Sequence, residues 1–538
     1  MHEEVFDYVI VGAGTAGCVV ANHLSADGSA RVLLIEAGGS DRRASIRVPI
    51  GYGRTFYDPV VNWRYQTEPD PGTHHRSSYW PRGRVLGGSS SINGLVYCRG
   101  VPGDYDDWRD AGNPGWSWDD VEPVYRSFER HVRADGVING DGPLWVSRPE
   151  RHYHPIKRHF YAAAAEVGLP IADADGATPE GVGPYAINTR AGLRCSAADA
   201  FLRPAMQRRN LVVHTHSCVE RIAFDHRRAI GVVCRAGTQR QLLLLRCSRE
   251  IVLCAGAVNS PKLLQLSGVG PPALLTAHGI PVVHANPAVG GGLQDHLGIS
   301  YFYRATEPTL NSALGTWPGR IRCGLQFLLA RSGPFSLSVN QIGGLVRSSP
   351  TRLRPDVQLY FNPLSYSTQY VDKRPLLKPD PHPGFIIGFN SCRPASRGRI
   401  DIASADAAAA PRIVANYLST SEDAAGAIAA ARLIGRLQDT VAMRRLIDGT
   451  PRLDLTRATE EAVLEDFRAR CGTVFHPCGT CRMAPEAAGG VVGHDLRVHG
   501  VERLRVVDAS VFPNITSANI NAPTLLVAHM ATRAMLAR

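Results

Sequence analysis

A histidine and three cysteines lie close together in the stretch RCGTVFHPCGTCR, near the end of the 538-residue chain. Cys478 and Cys481 have the spacing of zinc ligands, and Cys471 and His476 could complete a tetrahedral site. Redox dithiols share this spacing, although they need an exposed thiol near a helix N-terminus. A third possibility is that the stretch lines an active site for another reason. The stretch alone leaves these alternatives open, and the elements that would position it decide between them.

The N-terminal segment carries a dinucleotide-binding fingerprint. Phe6–Val11 and Arg31–Ile35 are apolar runs typical of buried parallel strands, and Thr15–Leu24 between them has a helical pattern. Glu36 ends the second strand, 19 positions after the last glycine of the turn, where it can accept hydrogen bonds from a ribose. Three glycines permit the tight turn, the approach of a pyrophosphate and close helix packing: Gly12, Gly14 and Gly17. The pattern predicts one Rossmann-like nucleotide site without separating NAD from FAD.

Composition excludes several classes of function. Lys and Arg number 59 against 48 Asp and Glu, a net charge of +11, but the basic residues are scattered, which disfavours nucleic-acid binding. No apolar run approaches the roughly 18 residues of a membrane span. No signal peptide precedes the first strand, so we expect a cytoplasmic protein whose twelve cysteines are reduced thiols. The sequence leaves the oligomeric state open.

Two further motifs identify a family. Gly83–Asn93, GRVLGGSSSIN, is a Gly/Ser-rich loop, and Gly256–Gly270 reads GAVNSPKLLQLSGVG. Together with the fingerprint and with Ser396–Ile400 and Val506–Pro513, they resemble the glucose–methanol–choline (GMC) family of FAD-dependent oxidoreductases, in the same order along nearly the whole chain. The resemblance implies an α/β fold, with a Rossmann-like FAD-binding domain and an α+β substrate domain built on an antiparallel sheet.

The same resemblance implies a discontinuous division of the chain. The FAD-binding domain is expected to comprise residues 1–155, 195–310 and 470–538, and the substrate-binding domain residues 156–194 and 311–469. Apolar runs from Leu211 to Ala255 predict a meander and a strand that returns to the first sheet. Strand-like runs separated by Pro-rich loops fill residues 300–415, and Glu422–Val441 has the pattern of an amphipathic helix.

The family resemblance also offers an interpretation of the opening stretch. In the family, a stretch similar to HPCGTCRM carries the histidine that faces the flavin, which makes His476 the catalytic base and the cysteines packing residues; we therefore expect no metal. The partner position corresponds to Asn519, which can orient the substrate oxygen but cannot take up a proton. Phe475 and Gln341 are expected beside the substrate. Alcohol oxidation removes a hydroxyl proton and a hydride from one carbon, and the flavin accepts the hydride.

The cofactor residues follow from the same resemblance. Some family members attach FAD covalently through a histidine just before the asparagine of the first signature, and this chain has Ile92 there. We therefore expect non-covalent FAD. The residues implied to bind it are Gly12, Gly14, Thr15, Ala16, Gly17, Glu36, Ala37, Trp63, Val85, Gly88, Asn93, Gly94, Leu95, Val96, Val219, Asp508 and Ala509.

The predicted reaction is oxidation of a primary alcohol to the aldehyde. Choline-oxidising relatives place a carboxylate where this chain has Gln341, so we expect an aromatic or aliphatic alcohol rather than choline. Reoxidation by oxygen and by another acceptor both remain open. A hydroxynitrile lyase of the same fold is the alternative. A flavin photodecarboxylase is disfavoured, because such relatives carry a histidine where Thr516 stands.

Overall fold

A mixed sheet forms around the apolar N-terminal strand. The computed structural model describes residues 4–172, 180–236, 241–371 and 374–537. In it, Val5–Val11 pairs in parallel with Val32–Ile35 on one side and with Gln241–Leu253 on the other. The sheet is completed by parallel strands Leu211–His214 and Leu504–Val506 and by antiparallel strands Cys218–Asp225 and Arg228–Ala236. The predicted meander and returning strand are therefore confirmed.

A second sheet is antiparallel throughout. Its strands follow in the order Ile342–Val346, Val357–Asn362, Gly384–Ser391 and Leu297–Ala305, with Ile447–Asp448 and Gly472–Thr473 along the last edge. Buried and exposed side chains alternate along Leu297–Ala305, because one face packs on the core and the other faces outward. The helix Ser421–Gln438 packs against Gly384–Ser391. The α/β fold with an α+β substrate half is thus confirmed.

Two strands of the second sheet fall outside the residues predicted for the substrate-binding domain. Leu297–Ala305 belongs to the second sheet although it falls within 195–310, and so does Gly472–Thr473 within 470–538. The helix Lys157–Glu166 packs with the second half, where Phe160 stacks on Phe361 at 4.8 Å between ring centroids. We propose that the substrate half begins before Leu297 and that 156–194 belongs to it; residues 173–179 of that segment lie outside the described residues.

The other elements connect and cover these sheets. The remaining α-helices of the described ranges are Thr15–Leu24, Ala44–Arg47, Tyr52–Thr55, Pro102–Asp110, Trp118–Phe128, Arg203–Ala205, Gly256–Leu266, Pro272–Ala277, Leu310–Leu314, Trp317–Ala330, Val441–Leu446, Glu460–Arg470 and Asn521–Leu536. Across the described ranges, no helix combines the length and the apolar character needed to cross a membrane.

Smaller sheets complete the fold. One has five strands: Val96–Tyr97, Ala186–Ile187, Leu144–Ser147, Glu129–Val132 and Ile138–Asn139. Another has three: Gly291–Leu293, Gly398–Asp401 and Arg412–Val414. Two-stranded pairs are Tyr65–Gln66 with Tyr79–Trp80, Thr189–Arg190 with Leu193–Arg194, Val269–Gly270 with His284–Ala285, and Tyr366–Val371 with Arg374–Pro379, while Gly181–Pro184 is a further short strand.

Candidate active site

A large cavity is lined by both halves of the chain. Its volume is about 1060 Å³, and its wall includes the glycine turn, both sequence signatures and the stretch around His476. Pockets for drug-sized ligands usually measure about 300–1,000 Å³, so this cavity has room for a dinucleotide and a small second molecule.

The glycine turn forms one end of the cavity. Gly12 has φ of +100°, and a Cβ there would meet the carbonyl oxygen of Cys254 at 2.5 Å. The helix Thr15–Leu24 begins directly after this turn, so its free N–H groups and its dipole face the cavity. Gly17 lies behind, where a Cβ would meet the carbonyl oxygen of Gly12 at 1.9 Å. This end fits the pyrophosphate of a dinucleotide.

Glu36 lies at the end of the second strand, as expected for a ribose ligand. Its two carboxylate oxygens accept backbone N–H groups of Ala13 at 2.9 Å and of Gly38 at 2.8 Å. Burial raises the pKa of this carboxyl to about 7, against the lowering effect of these two hydrogen bonds. Each oxygen still has a free lone pair for a ribose hydroxyl. Ala37 and Val219 line the same part of the cavity.

The Gly/Ser-rich loop forms the middle of the cavity wall and is held from behind by a buried arginine. Arg194 donates to the carbonyl oxygens of Ser90 and Asn93 and to the side-chain oxygen of Asn93, at 2.8 to 3.1 Å. Burial lowers the pKa of Arg194 to about 10, so it remains a cation at neutral pH. Leu95 has φ of +72°, a strained conformation that this loop imposes. Sequence reasoning missed Arg194, because it lies 101 positions from Asn93.

A carboxylate side chain from the C-terminal part of the chain, Asp508, joins this wall to the second signature by hydrogen bonds. Asp508 accepts the backbone N–H of Gly256 at 2.8 Å and the hydroxyl of Ser260 at 2.6 Å. Burial raises the pKa of Asp508, and these hydrogen bonds oppose that effect. The predicted cofactor residues that line the cavity are Gly12, Gly14, Thr15, Ala16, Glu36, Ala37, Trp63, Gly88, Asn93, Gly94, Leu95, Val96, Val219, Asp508 and Ala509. Val85 does not line it, because it is fully buried against Ile46 and Ile92 behind the loop.

His476 and Asn519 meet at the opposite end of the cavity. The Asn519 amide nitrogen lies 3.1 Å from Nε2 of His476, although 43 residues separate them in sequence. Gln358 donates to the Asn519 carbonyl oxygen at 3.1 Å, an arrangement that turns the amide nitrogen toward the histidine. Asn519 therefore donates to Nε2 of His476, which requires that Nε2 carry no proton.

A second buried histidine fixes the same tautomer independently. Nε2 of His296 lies 2.8 Å from the carbonyl oxygen of Cys392 and must donate to it. Burial lowers the pKa of His296 to about 4, so the ring is neutral and its Nδ1 carries no proton. Nδ1 of His476 lies 2.9 Å from that atom and must therefore donate to it. The proton of His476 is held on Nδ1, and Nε2 offers its lone pair toward the cavity.

The electrostatics keep this histidine neutral. Its pKa is held well below 6.5, first by burial, then by neighbouring His296 and by the positive charge of Arg82. Arg82 lines the cavity and donates to the carbonyl oxygen of Phe475 at 2.7 Å. Burial lowers the pKa of Arg82 to about 10, which leaves it charged at neutral pH. A neutral imidazole whose Nε2 lone pair faces the cavity is a base able to take up a proton once substrate displaces the Asn519 amide.

Asp295 holds the backbone of the catalytic stretch. It accepts the N–H of His476 at 2.7 Å and the hydroxyls of Thr473 and Tyr417, both at 2.5 Å. Burial raises its pKa, against those hydrogen bonds. Asp295 and His296 follow the three-glycine run of VGGGLQDH, and sequence reasoning missed both. The signal that could have found them is an acidic residue directly followed by a histidine after a glycine-rich loop.

Aromatic side chains surround the space beside His476. Phe475 has φ of +71° and lines the cavity together with Phe56, whose ring lies 4.9 Å from that of Phe475. The structure does not bring Gln341 there. Its side-chain oxygen accepts the backbone N–H of His154 at 2.8 Å, away from the cavity, whereas the preceding residue, Asn340, lines it.

The cysteines of the stretch are buried thiols. Burial raises the pKa of Cys471 to about 11 and raises those of Cys478 and Cys481 as well, which keeps all three protonated. Metal ligation and dithiol chemistry both need the thiolate. In the described part of the chain, no group of three or more His, Cys, Asp or Glu side chains is arranged to hold a metal ion. The geometry favours a packing role for these cysteines.

Known proteins resemble this chain over nearly its whole length. GMC oxidoreductase family profiles match residues 6–298 and 394–528. The chain is 38% identical over 536 residues to an alcohol dehydrogenase [acceptor] of Pseudomonas putida, covering 98% of this chain and 95% of the relative. It is also 38% identical to an oxygen-dependent choline dehydrogenase of Photobacterium profundum, covering 99% of this chain and 93% of the relative.

A solved structure extends the similarity to three dimensions. Pyridoxine 4-oxidase from Mesorbium loti superposes with a TM-score of 0.86 at 30% identity, covering 99% of both chains. The chain belongs to the GMC oxidoreductase family. It is therefore a flavoprotein oxidoreductase, and the predicted family and fold are confirmed. The roles of the individual site residues stay predictions.

Proposed function

We propose that the protein oxidises a primary alcohol to the aldehyde with non-covalently bound FAD, using His476 as the base. One observation carries the proposal: the lone pair of Nε2 of His476 faces a cavity whose other end fits a dinucleotide. FAD, when bound, accepts the hydride from the alcohol carbon. The names of two relatives, an alcohol dehydrogenase and a pyridoxine oxidase, support an alcohol as substrate.

His476 and Asn519, the two polar groups at the substrate end, position the alcohol hydroxyl and accept its proton. In the absence of substrate, the Asn519 amide occupies the lone pair of Nε2. An alcohol oxygen between them would accept the amide N–H and donate its proton to Nε2. The proton on Nδ1 stays with His476, since His296 holds it in place. Asn519 thereby orients the oxygen, and His476 removes its proton.

Non-covalent attachment rests on the residue at the expected point of linkage. Ile92 stands in place of the histidine that some family members use, and it lines the cavity with a side chain that cannot form such a bond. The FAD site supplies other means of retention: the helix N-terminus at Thr15, the Glu36 carboxylate and the loop held by Arg194. Acid treatment is therefore expected to release all of the flavin.

The charges around the cavity disfavour choline. Among the described residues that line it, the acidic ones are Glu36 and Asp508, both on the dinucleotide side. Arg82 contributes a positive charge beside His476. A quaternary ammonium would lose its hydration without gaining a carboxylate partner, and the nearby cation would repel it. Phe56 and Phe475 instead favour an aromatic or aliphatic alcohol. Gln341 does not contribute to this preference, because it does not line the cavity.

Anaerobic bleaching of the flavin tests the proposal. Benzyl alcohol and hexanol should reduce the yellow flavin faster than choline at matched concentration and pH. Admission of air, or of a quinone-like dye, then identifies the acceptor. A flavin that stays oxidised with every alcohol would favour the redox-neutral lyase. Faster reduction by choline than by both other alcohols would overturn the substrate class but not the role of His476.

A further inference from the structure

The helix Trp317–Ala330 presents an uncovered apolar face to solvent. Its large apolar side chains on this face are between 53% and 85% exposed. With 3.6 residues per turn they fall within about a third of the helix circumference. The residues are Trp317, Ile321, Leu325, Leu328 and Leu329, here called the apolar stripe. Single exposed apolar side chains are ordinary on a protein surface, whereas a contiguous set marks an interaction site.

The opposite face of this helix covers the wall of the cavity. Cys323 and Phe327 are buried, and Cys323 packs with Leu310, Leu314 and Leu364 in a small cluster separate from the two main cores. Leu314 and Leu364 also line the cavity. The apolar stripe therefore lies on the outer side of a thin layer whose inner side faces the active site.

Three arginines that form no ion pair with a described residue lie beside the apolar stripe. Arg320 and Arg322 flank it on the helix, and Arg331 follows the last turn. No Asp or Glu occurs from residue 308 to residue 355. No ion pair between described residues includes any of these three arginines. Arg320 lies over the Trp317 ring, 5.8 Å from its centroid, which brings the cation to the edge of the apolar stripe.

We propose that this helix docks the protein onto an anionic lipid bilayer. A helix with Trp and Leu on one face, arginines beside them and no acidic residue is suited to lie in the bilayer interface, where its apolar face enters the acyl boundary. The arginines then meet anionic headgroups. A second copy of the chain fits less well, because a twofold contact through this helix would bring the same cations together.

Vesicle flotation of the FAD-loaded protein tests the proposal. Vesicles of phosphatidylcholine with phosphatidylglycerol should carry the protein upward, and pure phosphatidylcholine vesicles should carry far less. In the double variant Leu328→Glu/Leu329→Glu the bound fraction should fall at least tenfold. Leu353→Glu is the matched control, because Leu353 is fully exposed in the same acid-free segment but outside the helix. This control should float like the wild type.

Two further measurements separate docking from a folding defect. The variants should retain FAD and reduce it with a water-soluble alcohol at the wild-type rate. In the wild type, brominated lipids should quench a fluorescence component that Trp317→Phe lacks.

Three results would overturn the proposal: no flotation of the wild type, equal flotation of the double variant, or absence of Trp317 quenching. Self-association of the wild type that the double variant abolishes, without vesicle binding, would assign the apolar stripe to a second copy.

Discussion

Replacement of His296 tests whether a neighbouring ring places the proton on His476. The two Nδ1 atoms are 2.9 Å apart, and the Cys392 carbonyl fixes the orientation of His296 from the far side. In His296→Leu, the Nδ1–H of His476 loses its acceptor in a buried site. The imidazole must then leave this donor unsatisfied or move the proton to Nε2, where it blocks the lone pair that takes the substrate proton.

The expected loss of flavin-reduction rate follows from the free-energy cost of leaving the Nδ1–H of His476 without an acceptor. An unsatisfied buried donor costs about 1–3 kcal/mol. With a factor of ten for each 1.4 kcal/mol or so, flavin reduction should slow about 5-fold to 150-fold. His296→Asn is the matched control, because its carbonyl oxygen lies near the former position of Nδ1 and can still accept from His476. It should stay within about fivefold of the wild type.

Anaerobic stopped-flow mixing with a good alcohol substrate measures this loss directly. The limiting rate of flavin reduction should fall in His296→Leu while the FAD content stays at the wild-type level. In the wild type the rate should be flat above pH 6.5, since the lowered pKa of His476 keeps the base neutral there, and should decline only on the acid side. A wild-type rate in His296→Leu would refute the reasoning. If His296→Leu and His296→Asn slowed flavin reduction equally and both lost FAD, His296 would have only a packing role.

The remaining predictions concern the base, the flavin and stability. His476→Ala should keep FAD but slow flavin reduction about 10²–10⁴-fold, and a loss below tenfold in stopped-flow experiments would exclude it as the base; Asn519→Ala should also slow reduction but retain the pH dependence set by His476. Acid precipitation should leave all FAD in the supernatant, and flavin remaining with the pellet would contradict the argument from Ile92. The pKa values of buried His296 and His529 are lowered, so below about pH 6.5 these two side chains bind more protons in the unfolded chain than in the native one, whereas the raised pKa of Glu36 acts in the opposite direction. If the two histidines outweigh that carboxyl, as we expect, the melting temperature should fall from pH 6.5 to pH 5, and a constant or rising value would show that they do not dominate the pH dependence.

Local features of the site could be predicted because their physical causes are local. The turn at Gly12, the helix that starts at Thr15 and the acid at Glu36 depend on contiguous residues, and the structure reproduces the expected strand, turn, helix and strand. The pairing of His476 with Asn519 came from the family motif, not from chain physics. In the structure these two side chains meet at 3.1 Å.

The tautomer of the base could not be predicted, since it depends on residues distant in sequence. His296 lies 180 positions before His476, and the carbonyl that orients it belongs to Cys392, 96 positions further on. Sequence spacing gives no sign that three such segments converge. The sheet to which Leu297–Ala305 belongs could not be predicted for a related reason, since an apolar strand gives no sign of its partner, here Gly384–Ser391.

The displacement of Gln341 from the cavity shows how one residue decides a specificity argument. In extended chain, successive side chains point to opposite sides, so a shift of one position exchanges the inward side for the outward one. Just before the strand Ile342–Val346, Asn340 faces the cavity while Gln341 turns to the backbone of His154. Because both residues are neutral amides, the cavity lacks a carboxylate at this point whichever of the two faces it. Of these two neighbouring positions, Asn340 is therefore the one at which a carboxylate would face the cavity.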